Sequence, residues 1–177
     1  MDKHLRDMIP AWVDGKLTAV GKLDVHKRGL RHKAVSVFLL DEVGRILIQR
    51  RALGKYHTPG LWANSCCTHP LWDEDAIDCA RRRLEEELGV TQIAPVWRQQ
   101  VEYRAAVGNN LIEHELVDIF VGKMSASHPM HINSDEVMDV SWVGLEELES
   151  RIKRAPELFT PWLRIYLSEH KQAILGG

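Results

Sequence analysis

Residues 64–89 hold the most reactive mixture of side chains in the sequence. Cys67 and His69 stand two positions apart, and the segment after them ends in clustered arginines and glutamates. A thiol can act as an acid, a base or a nucleophile, and an imidazole can bind a metal or move a proton. In an extended backbone both side chains would point to one face, with Cys66 and Thr68 opposite. This mixture indicates a functional site, since core packing alone does not require it.

A pair of glutamates lies in the apolar run at residues 111–121. Strand alternation places Glu113 and Glu115 on the same face as Val117, Ile119 and Val121. Two carboxylates on an inward face are costly to bury unless a cation compensates them or one takes up a proton. A frayed strand start, with both glutamates in solvent, explains the pattern equally well.

Three histidines add the capacity to bind a metal. His26 and His32 precede a predicted core strand, and His69 follows Cys67. With Glu113 and Glu115 they would form a nitrogen and oxygen site suited to Zn²⁺, Mn²⁺ or Mg²⁺. A lone histidine is more often a surface or supporting residue, which is the reading for His4, His57, His114, His128, His131 and His170.

Several cations lie next to the predicted core strands. Lys22 precedes His26, while Arg50, Arg51 and Lys55 lead from a strand into a loop. They could converge on an anion such as a diphosphate. Each one alone is equally consistent with an ordinary solvated charge.

Periodicity predicts the elements that carry these residues. Asp14-Gly15 predicts a hairpin over residues 12–17. Strands are predicted at 35–40, 45–50, 101–106, 111–121 and 137–143, a loop at 52–61, and helices at 73–88, 145–153 and 161–174. These elements predict one α+β domain over residues 1–177, a mixed or antiparallel sheet flanked by helices, with a flexible leader at 1–10.

The composition restricts the class of protein. A chain of 177 residues that is 45% hydrophobic can form one full core, and a net charge of −2 without a basic stripe argues against nucleic acid. No apolar run is long enough to span a membrane, and the N-terminus lacks the apolar segment of a secretory signal. Three cysteines, two of them adjacent, are not typical of a disulfide framework. We therefore expect a soluble, cytoplasmic protein.

The charged end of the predicted 73–88 helix can be compared with the Nudix box, a signature that pairs an arginine with several glutamates. Arg82, Glu86, Glu87 and Gly89 fall in register with the box, but Arg83 replaces its first helical glutamate. A positive charge there disfavours several hydrated cations and favours direct contact with a phosphate oxygen. The alternative is an exposed helix face with ion pairs between residues four apart.

Over residues 22–167 the chain resembles the type I isopentenyl-diphosphate isomerases, a family with a degenerate Nudix box. The resemblance rests on NSCCTHP, CARRRLEEELG, LIEHELVDIF and FTPWLRIYL, which are specific in combination. It implies a Nudix-like fold. It also implies the interconversion of isopentenyl and dimethylallyl diphosphate, for isoprenoid biosynthesis, by protonation and deprotonation of the allylic system.

The resemblance also implies a role for each matching residue. Catalysis is assigned to Cys67 on one side of the substrate and to Glu115, assisted by Tyr103, on the other. A tightly bound divalent metal (Mn²⁺, Zn²⁺ or Mg²⁺) is held by His26, His32, His69, Glu113 and Glu115. Glu87 binds a Mg²⁺ that accompanies the diphosphate. The substrate contacts are Lys22, Arg51, Lys55, Arg83 and Trp162.

The expected partner is a small-molecule diphosphate, with no nucleic acid and no membrane, and the protein is expected to be a monomer. A Nudix pyrophosphohydrolase is the main alternative. It is disfavoured by Arg83 and by the pairing of Cys67 with Glu115, since the hydrolases use a full set of glutamates and no cysteine. A non-catalytic domain stabilised by a metal is the third class, and it would need neither acid/base group.

Overall fold

One mixed sheet organises residues 7–176, the part of the chain that the computed structural model describes. Its strands are β1 (Met8–Val13), β2 (Lys16–Gly21), β3 (Arg31–Leu40), β4 (Ile46–Arg51), β5 (Trp62–Ala63), β6 (Cys66–Thr68), β7 (Val96–Ala106), β8 (Ile112–Lys123) and β9 (Val137–Val143). The helices are α1 (Lys22–Arg28), α2 (Ala76–Leu88), α3 (Leu145–Arg154), α4 (Pro161–Glu169) and α5 (Lys171–Leu175). Within this range no helix combines the length and the apolar character needed to cross a membrane.

Strand β3 is the centre of the sheet. It runs parallel to β8 and antiparallel to β1, β4 and β6. Its pairing with β4 is confined to Leu40 and Ile46; beyond this point the strands separate, and β6 pairs with β3 while β5 pairs with β4. His32 lies near the start of β3 and Arg51 at the end of β4, which are the ends away from the Leu40–Ile46 pair. The two strands therefore leave a gap between these residues.

Successive residues of β3 enter two different cores, because strand side chains alternate between faces. Val35, Val37 and Leu39 pack with α2, whereas Ala34 and Phe38 pack with α3, α4 and α5. All five side chains are buried, and burying each of the larger ones contributes about 1.5–3 kcal/mol. The sheet is therefore held between α2 on one face and the C-terminal helices on the other.

The predicted fold class and most predicted elements are confirmed. The hairpin over residues 12–17 is formed by β1 and β2, with Asp14 (φ 49°) and Gly15 (φ 77°) both in the left-handed region that a tight two-residue turn requires. The sheet is mixed because β3 and β8 are parallel.

The predicted leader at residues 1–10 is wrong for its last three residues. Met8, Ile9 and Pro10 belong to β1, and Ile9 is buried against Val25 of α1 in a small third core. Residues 1–6 lie outside the described part of the chain. Helix α1 itself was not predicted, because seven residues are too few to show a clear helical period.

Two predicted helices have different boundaries. Helix α2 begins at Ala76 and not at residue 73, because Asp73 adopts a left-handed φ of 65° and Glu74 uses its side chain to accept a hydrogen bond from the Leu71 amide. The predicted helix at 161–174 is divided at His170 into α4 and α5.

Candidate active site

A small cavity lies where β3 and β4 have separated. Its volume is about 20 Å³, roughly that of one water molecule. The predicted site residues on its wall are Lys22, Arg51, Lys55, Cys67, His69, Arg83, Tyr103, Glu113, Glu115 and Trp162. Three other predicted residues, His26, His32 and Glu87, are buried and lie outside the set of residues that line the wall. The wall also contains Tyr56, His57 and Thr68, for which the sequence predicted no role there.

Two buried histidines present a free ring nitrogen towards this site. His26 Nδ1 lies 2.6 Å from the Lys22 carbonyl oxygen, and His32 Nδ1 lies 2.8 Å from that of Leu30. A carbonyl only accepts, so each Nδ1 carries a proton, and in a neutral ring the Nε2 keeps a lone pair. Burial lowers the pKa of His26 to about 4, which favours the neutral ring. Its Nε2 is buried and has no hydrogen-bond partner among residues 7–176.

These lone pairs converge with His69 and Glu115. His32 Nε2 lies 3.2 Å from His69 Nε2, which in turn lies 3.0 Å from Glu115 Oε1. The donor atoms of His26, His32, His69 and Glu115 are all within 4.8 Å of one another. Neutral imidazoles that point lone pairs at one another and at a carboxylate are best satisfied by a cation, and metal-bound histidines commonly donate their other N–H to a carbonyl. The residues therefore fit a divalent metal.

Tyr103 links the two strand glutamates. Its hydroxyl lies 2.8 Å from Glu113 Oε2 and 2.7 Å from Glu115 Oε2. Burial and the two carboxylates raise the pKa of Tyr103 well above its ordinary value, so the phenol remains a hydrogen-bond donor. Burial and the neighbouring Glu115 also raise the pKa of Glu113. The predicted inward orientation of both glutamates is confirmed, whereas His114 on the other face pairs with Glu102.

Cys67 is fixed by three polar neighbours. Its thiol donates to Asn64 Oδ1 at 2.8 Å, and Sγ accepts from Trp162 Nε1 at 2.9 Å and from the Ser36 hydroxyl at 3.5 Å. Asn64 is oriented in turn, because its amide nitrogen donates to the carbonyls of Val37 and Cys66. Burial raises the pKa of Cys67, which favours the protonated thiol at neutral pH.

Four predicted cations line the cavity: Lys22, Arg51, Lys55 and Arg83. Burial, followed by the charges of Lys55, Arg83 and Arg51, lowers the pKa of Lys22 to about 8. The Nε atoms of Arg51 and Arg83 are buried N–H donors without a partner in the described range. Crowded cations with unused donors indicate an anion-binding site. Arg50, by contrast, donates a hydrogen bond to the Gly60 carbonyl and so stabilises the loop that contains Gly60.

Arg83 is surrounded by carboxylates from α2 and from the turn that precedes β9. It donates to Glu86 at 2.8 Å and to Glu87 at 2.5 Å, and it lies 3.3 Å from Glu136. Glu87 also accepts from Gln49 at 2.9 Å, so both of its oxygens are engaged. The predicted ion pairs four residues apart on α2 are present. Arg83 also lines the cavity, so these ion pairs do not remove it from the site.

Several residues that contact the site carry no functional signal in the sequence. Ser36 and Gln49 reach Cys67 and Glu87 across the fold, whereas Asn64 lies only three positions before Cys67. His57 resembles an ordinary surface histidine. The only available signal for His57 was its position two residues after Lys55, in a loop that contains Pro59.

Comparison with known proteins agrees with this geometry. The NUDIX domain family matches residues 30–163. A protein of Dinoroseobacter shibae named isopentenyl-diphosphate Delta-isomerase is 60% identical over 172 residues, which are 97% of each chain. The chain belongs to the Nudix family and, within it, to the isopentenyl-diphosphate Delta-isomerases.

Other relatives in this isomerase family match over nearly the same range. Isopentenyl-diphosphate Delta-isomerases of Cereibacter sphaeroides and Jannaschia sp. are 57% and 58% identical, covering 97% and 94% of each chain. Among solved structures, a Deinococcus radiodurans protein has a TM-score of 0.73 at 16% identity, covering 91% of this chain and 97% of its own. A MutT protein of Methanosarcina mazei has a TM-score of 0.64 at 20% identity, covering 80% and 94%. These structures confirm the predicted Nudix-like fold.

Proposed function

We propose that this isomerase family member interconverts isopentenyl diphosphate and dimethylallyl diphosphate, using Cys67 and Glu115 as its acid/base groups. One observation carries the proposal: β6 and β8 both pair with β3 and present Cys67 and Glu115 to the same cavity. Moving a double bond requires a proton to be added at one carbon and removed at another. Two positioned groups at one small cavity meet that requirement.

The surroundings of these groups suit a reaction through a cation. Protonating an unactivated alkene creates tertiary carbocation character, which water would trap, so the site must exclude water. The cavity is narrow, and Trp162 beside it is 2% exposed. An aromatic face can stabilise a cation without attacking it. The Arg51 guanidinium already lies 5.3 Å from the centroid of this ring.

Glu115 has two sets of partners that fix its carboxylate. Tyr103 donates to one oxygen, and His69 lies against the other. In our proposal the divalent metal is held by His26, His32, His69, Glu113 and Glu115. When bound, the metal would supply positive charge that keeps the carboxylates in place and favours their ionised form. Imidazole donors suit Mn²⁺ or Zn²⁺ better than Mg²⁺.

The cations that line the cavity and Glu87 would bind the diphosphate end. Lys22, Arg51, Lys55 and Arg83 supply the charge, and the free Nε donors of the two arginines supply hydrogen bonds. Glu87, now held by Arg83 and Gln49, is the residue for a Mg²⁺ that enters with the diphosphate. Because Arg83 occupies the carboxylates of α2, this helix is poorly suited to the several cations that a hydrolase would gather.

We further propose that the protein acts as a monomer in the cytoplasm, on a small molecule and without nucleic acid or membrane. In support, residues of this chain are sufficient to line the cavity, and the three cysteines are free thiols.

Deuterium exchange tests the proposed reaction. Isopentenyl diphosphate is incubated in heavy water with the wild-type protein, Cys67→Ala or Cys66→Ala. The wild type should form deuterated dimethylallyl diphosphate, and Cys67→Ala should be slower by about a thousandfold. Cys66→Ala is the control, because this neighbouring thiol is buried in the core beneath α2.

Two results would contradict the proposal. Release of phosphate or diphosphate without an allylic product would indicate a hydrolase. Unchanged exchange in Cys67→Ala, with a native circular dichroism spectrum, would remove the thiol from the mechanism.

A further inference from the structure

His26 is surrounded by three other imidazoles, and one of them is His57. The ring centroid of His26 lies 4.9 Å from that of His32, 5.2 Å from that of His69 and 5.4 Å from that of His57. Two groups of donor atoms share His26: one with His32, His69 and Glu115, the other with His57 and Glu113. His57 is therefore about as near to His26 as the histidines already assigned to the metal.

The two groups cannot each hold an ion at the same time, because His26 can serve only one ion. Its Nδ1 is hydrogen-bonded to the Lys22 carbonyl, which leaves Nε2 as the one nitrogen available to a metal. That Nε2 is buried and without a hydrogen-bond partner among the residues that the structure describes. The two groups share only His26, and the 4.8 Å limit holds within each group, so an ion bound to His26 Nε2 would join them only if their side chains moved closer to it.

The contacts of His57 are compatible with the form that a metal ligand needs. Its Nδ1 lies 3.1 Å from the Thr58 hydroxyl, and its Nε2 lies 3.5 Å from Glu113 Oε1. If Nδ1 donates to Thr58, a lone pair on Nε2 faces a carboxylate oxygen, and a cation would relieve the repulsion between them. Histidine ligands usually have this arrangement, in which the second ring nitrogen donates to an oxygen.

The backbone at Thr58 is strained in a way that supports this role. Thr58 is β-branched and precedes Pro59, yet its φ is 47°, a conformation that both properties disfavour. Residues keep such conformations where their surroundings fix them, often at ligand sites. The preceding carbonyl, that of His57, accepts a hydrogen bond from Arg51 at 3.2 Å, which helps to fix the loop.

We propose that His57 is an additional ligand of the divalent metal, joining His26, His32, His69, Glu113 and Glu115 in a set of four imidazoles and two carboxylates. This inference rests on the metal site of the proposed function. Thr58 is a positioning residue, because its hydroxyl can accept a hydrogen bond from His57 Nδ1 and so leave the lone pair on Nε2. A fourth imidazole shifts the site further from Mg²⁺ and towards a transition metal such as Mn²⁺, Co²⁺ or Zn²⁺.

Metal titration of the full-length protein tests this proposal without relying on activity. Protein stripped by a chelator is titrated with Co²⁺, followed by visible absorption, and with Zn²⁺, in competition with a chromophoric chelator. His57→Asn should bind both ions at least about tenfold more weakly and shift the Co²⁺ bands. Thr58→Val should also weaken the binding of both ions, but by a smaller factor. His114→Asn is the matched control, since this histidine lies on the opposite face of β8 and pairs with Glu102.

His57→Asn that binds Co²⁺ with wild-type affinity and spectrum would overturn the proposal, even if isomerisation were slower, because His57 would then act on the substrate. Failure of the wild type to take up either ion would reject the whole donor set. If His57→Asn fails to fold, the same titration of His57→Gln and Thr58→Val tests whether His57 binds the metal. Deuterium exchange is measured separately, so failure of the proposed reaction leaves the metal result interpretable.

Discussion

Trp162 Nε1 donates a hydrogen bond to Cys67 Sγ at 2.9 Å, across 95 positions of the sequence. The contact joins α4 to β6 and fixes the thiol from the side of the C-terminal helices. Trp162 therefore offers two things to the site, an N–H that orients the sulfur and an aromatic surface beside the cavity.

The two contributions of Trp162 can be separated by substitution. Trp162→Phe keeps an aromatic face but removes the N–H, so we expect kcat to fall by about tenfold, equivalent to one hydrogen bond of about 1.4 kcal/mol. Trp162→Leu also removes the face and should lower kcat by about a further tenfold. Steady-state kinetics with isopentenyl diphosphate measure both, and Trp97→Phe on the exposed surface is the control. Equal losses in the two variants would show that the aromatic face contributes nothing.

Neighbouring arginines on α2 should behave differently. Arg83→Gln removes a cation from the cavity wall and leaves the buried Glu87 without its partner. We expect KM for isopentenyl diphosphate to rise by about tenfold to a hundredfold, since a charged contact contributes about 1.5–3 kcal/mol. Arg82→Gln breaks the pairs with Glu74 and Glu86, which lie away from the cavity wall. It should lower the melting temperature and leave KM unchanged, and a rise of KM in both variants would argue against a specific role for Arg83.

Local periodicity explains which parts of the site could be predicted. The orientation of Glu113 and Glu115, and the separation of Cys67 from Cys66 into different cores, follow from strand alternation, which a sequence shows directly. Contacts across the fold cannot be read in this way. The sequence holds no pattern that brings Trp162 to the Cys67 thiol, or His57 to Glu113, because these contacts depend on tertiary packing.

The errors in the predicted elements also have local causes. The acidic residues before α2 resemble a first helical turn and so predict an early start, whereas Glu74 folds back to pair with Arg82. The sequence before Trp12 shows no clear alternation and so predicts a longer leader, although Ile9 is buried in β1.

Tyr103 should matter through its hydroxyl alone. Tyr103→Phe preserves the ring but removes the donor that lies between Glu113 and Glu115. We expect kcat to fall by about tenfold to a hundredfold, and stability to fall by about 1–2 kcal/mol because two buried carboxylates lose a donor. Tyr56→Phe is the matched control, since the buried Tyr56 hydroxyl has no hydrogen-bond partner within residues 7–176. Urea unfolding should find that control no less stable than the wild type, and an equal loss in both variants would contradict the role of the Tyr103 hydroxyl.

Glu74 should make stability depend on pH in the acidic range. Burial acts to raise its pKa, but hydrogen bonds from Arg82 and from the Leu71 amide outweigh burial, so the pKa is lower in the folded protein than in the unfolded chain. A group of this kind contributes stability above its unfolded pKa and loses the contribution as the pH falls through its folded pKa. Glu74→Gln should therefore be less stable than the wild type near pH 7, by about 1 kcal/mol because the ion pair is partly exposed.

The difference between Glu74→Gln and the wild type should shrink as the pH falls below about 4.5, the ordinary pKa of a glutamate, because the wild-type carboxylate is then neutralised. Urea unfolding at a series of pH values measures this difference, provided that both proteins remain folded without urea. Glu85→Gln, on the exposed surface of the same helix, controls for the loss of one negative charge. A difference that stayed constant from pH 7 to the acid limit would show that the substitution acts through packing, because packing does not titrate.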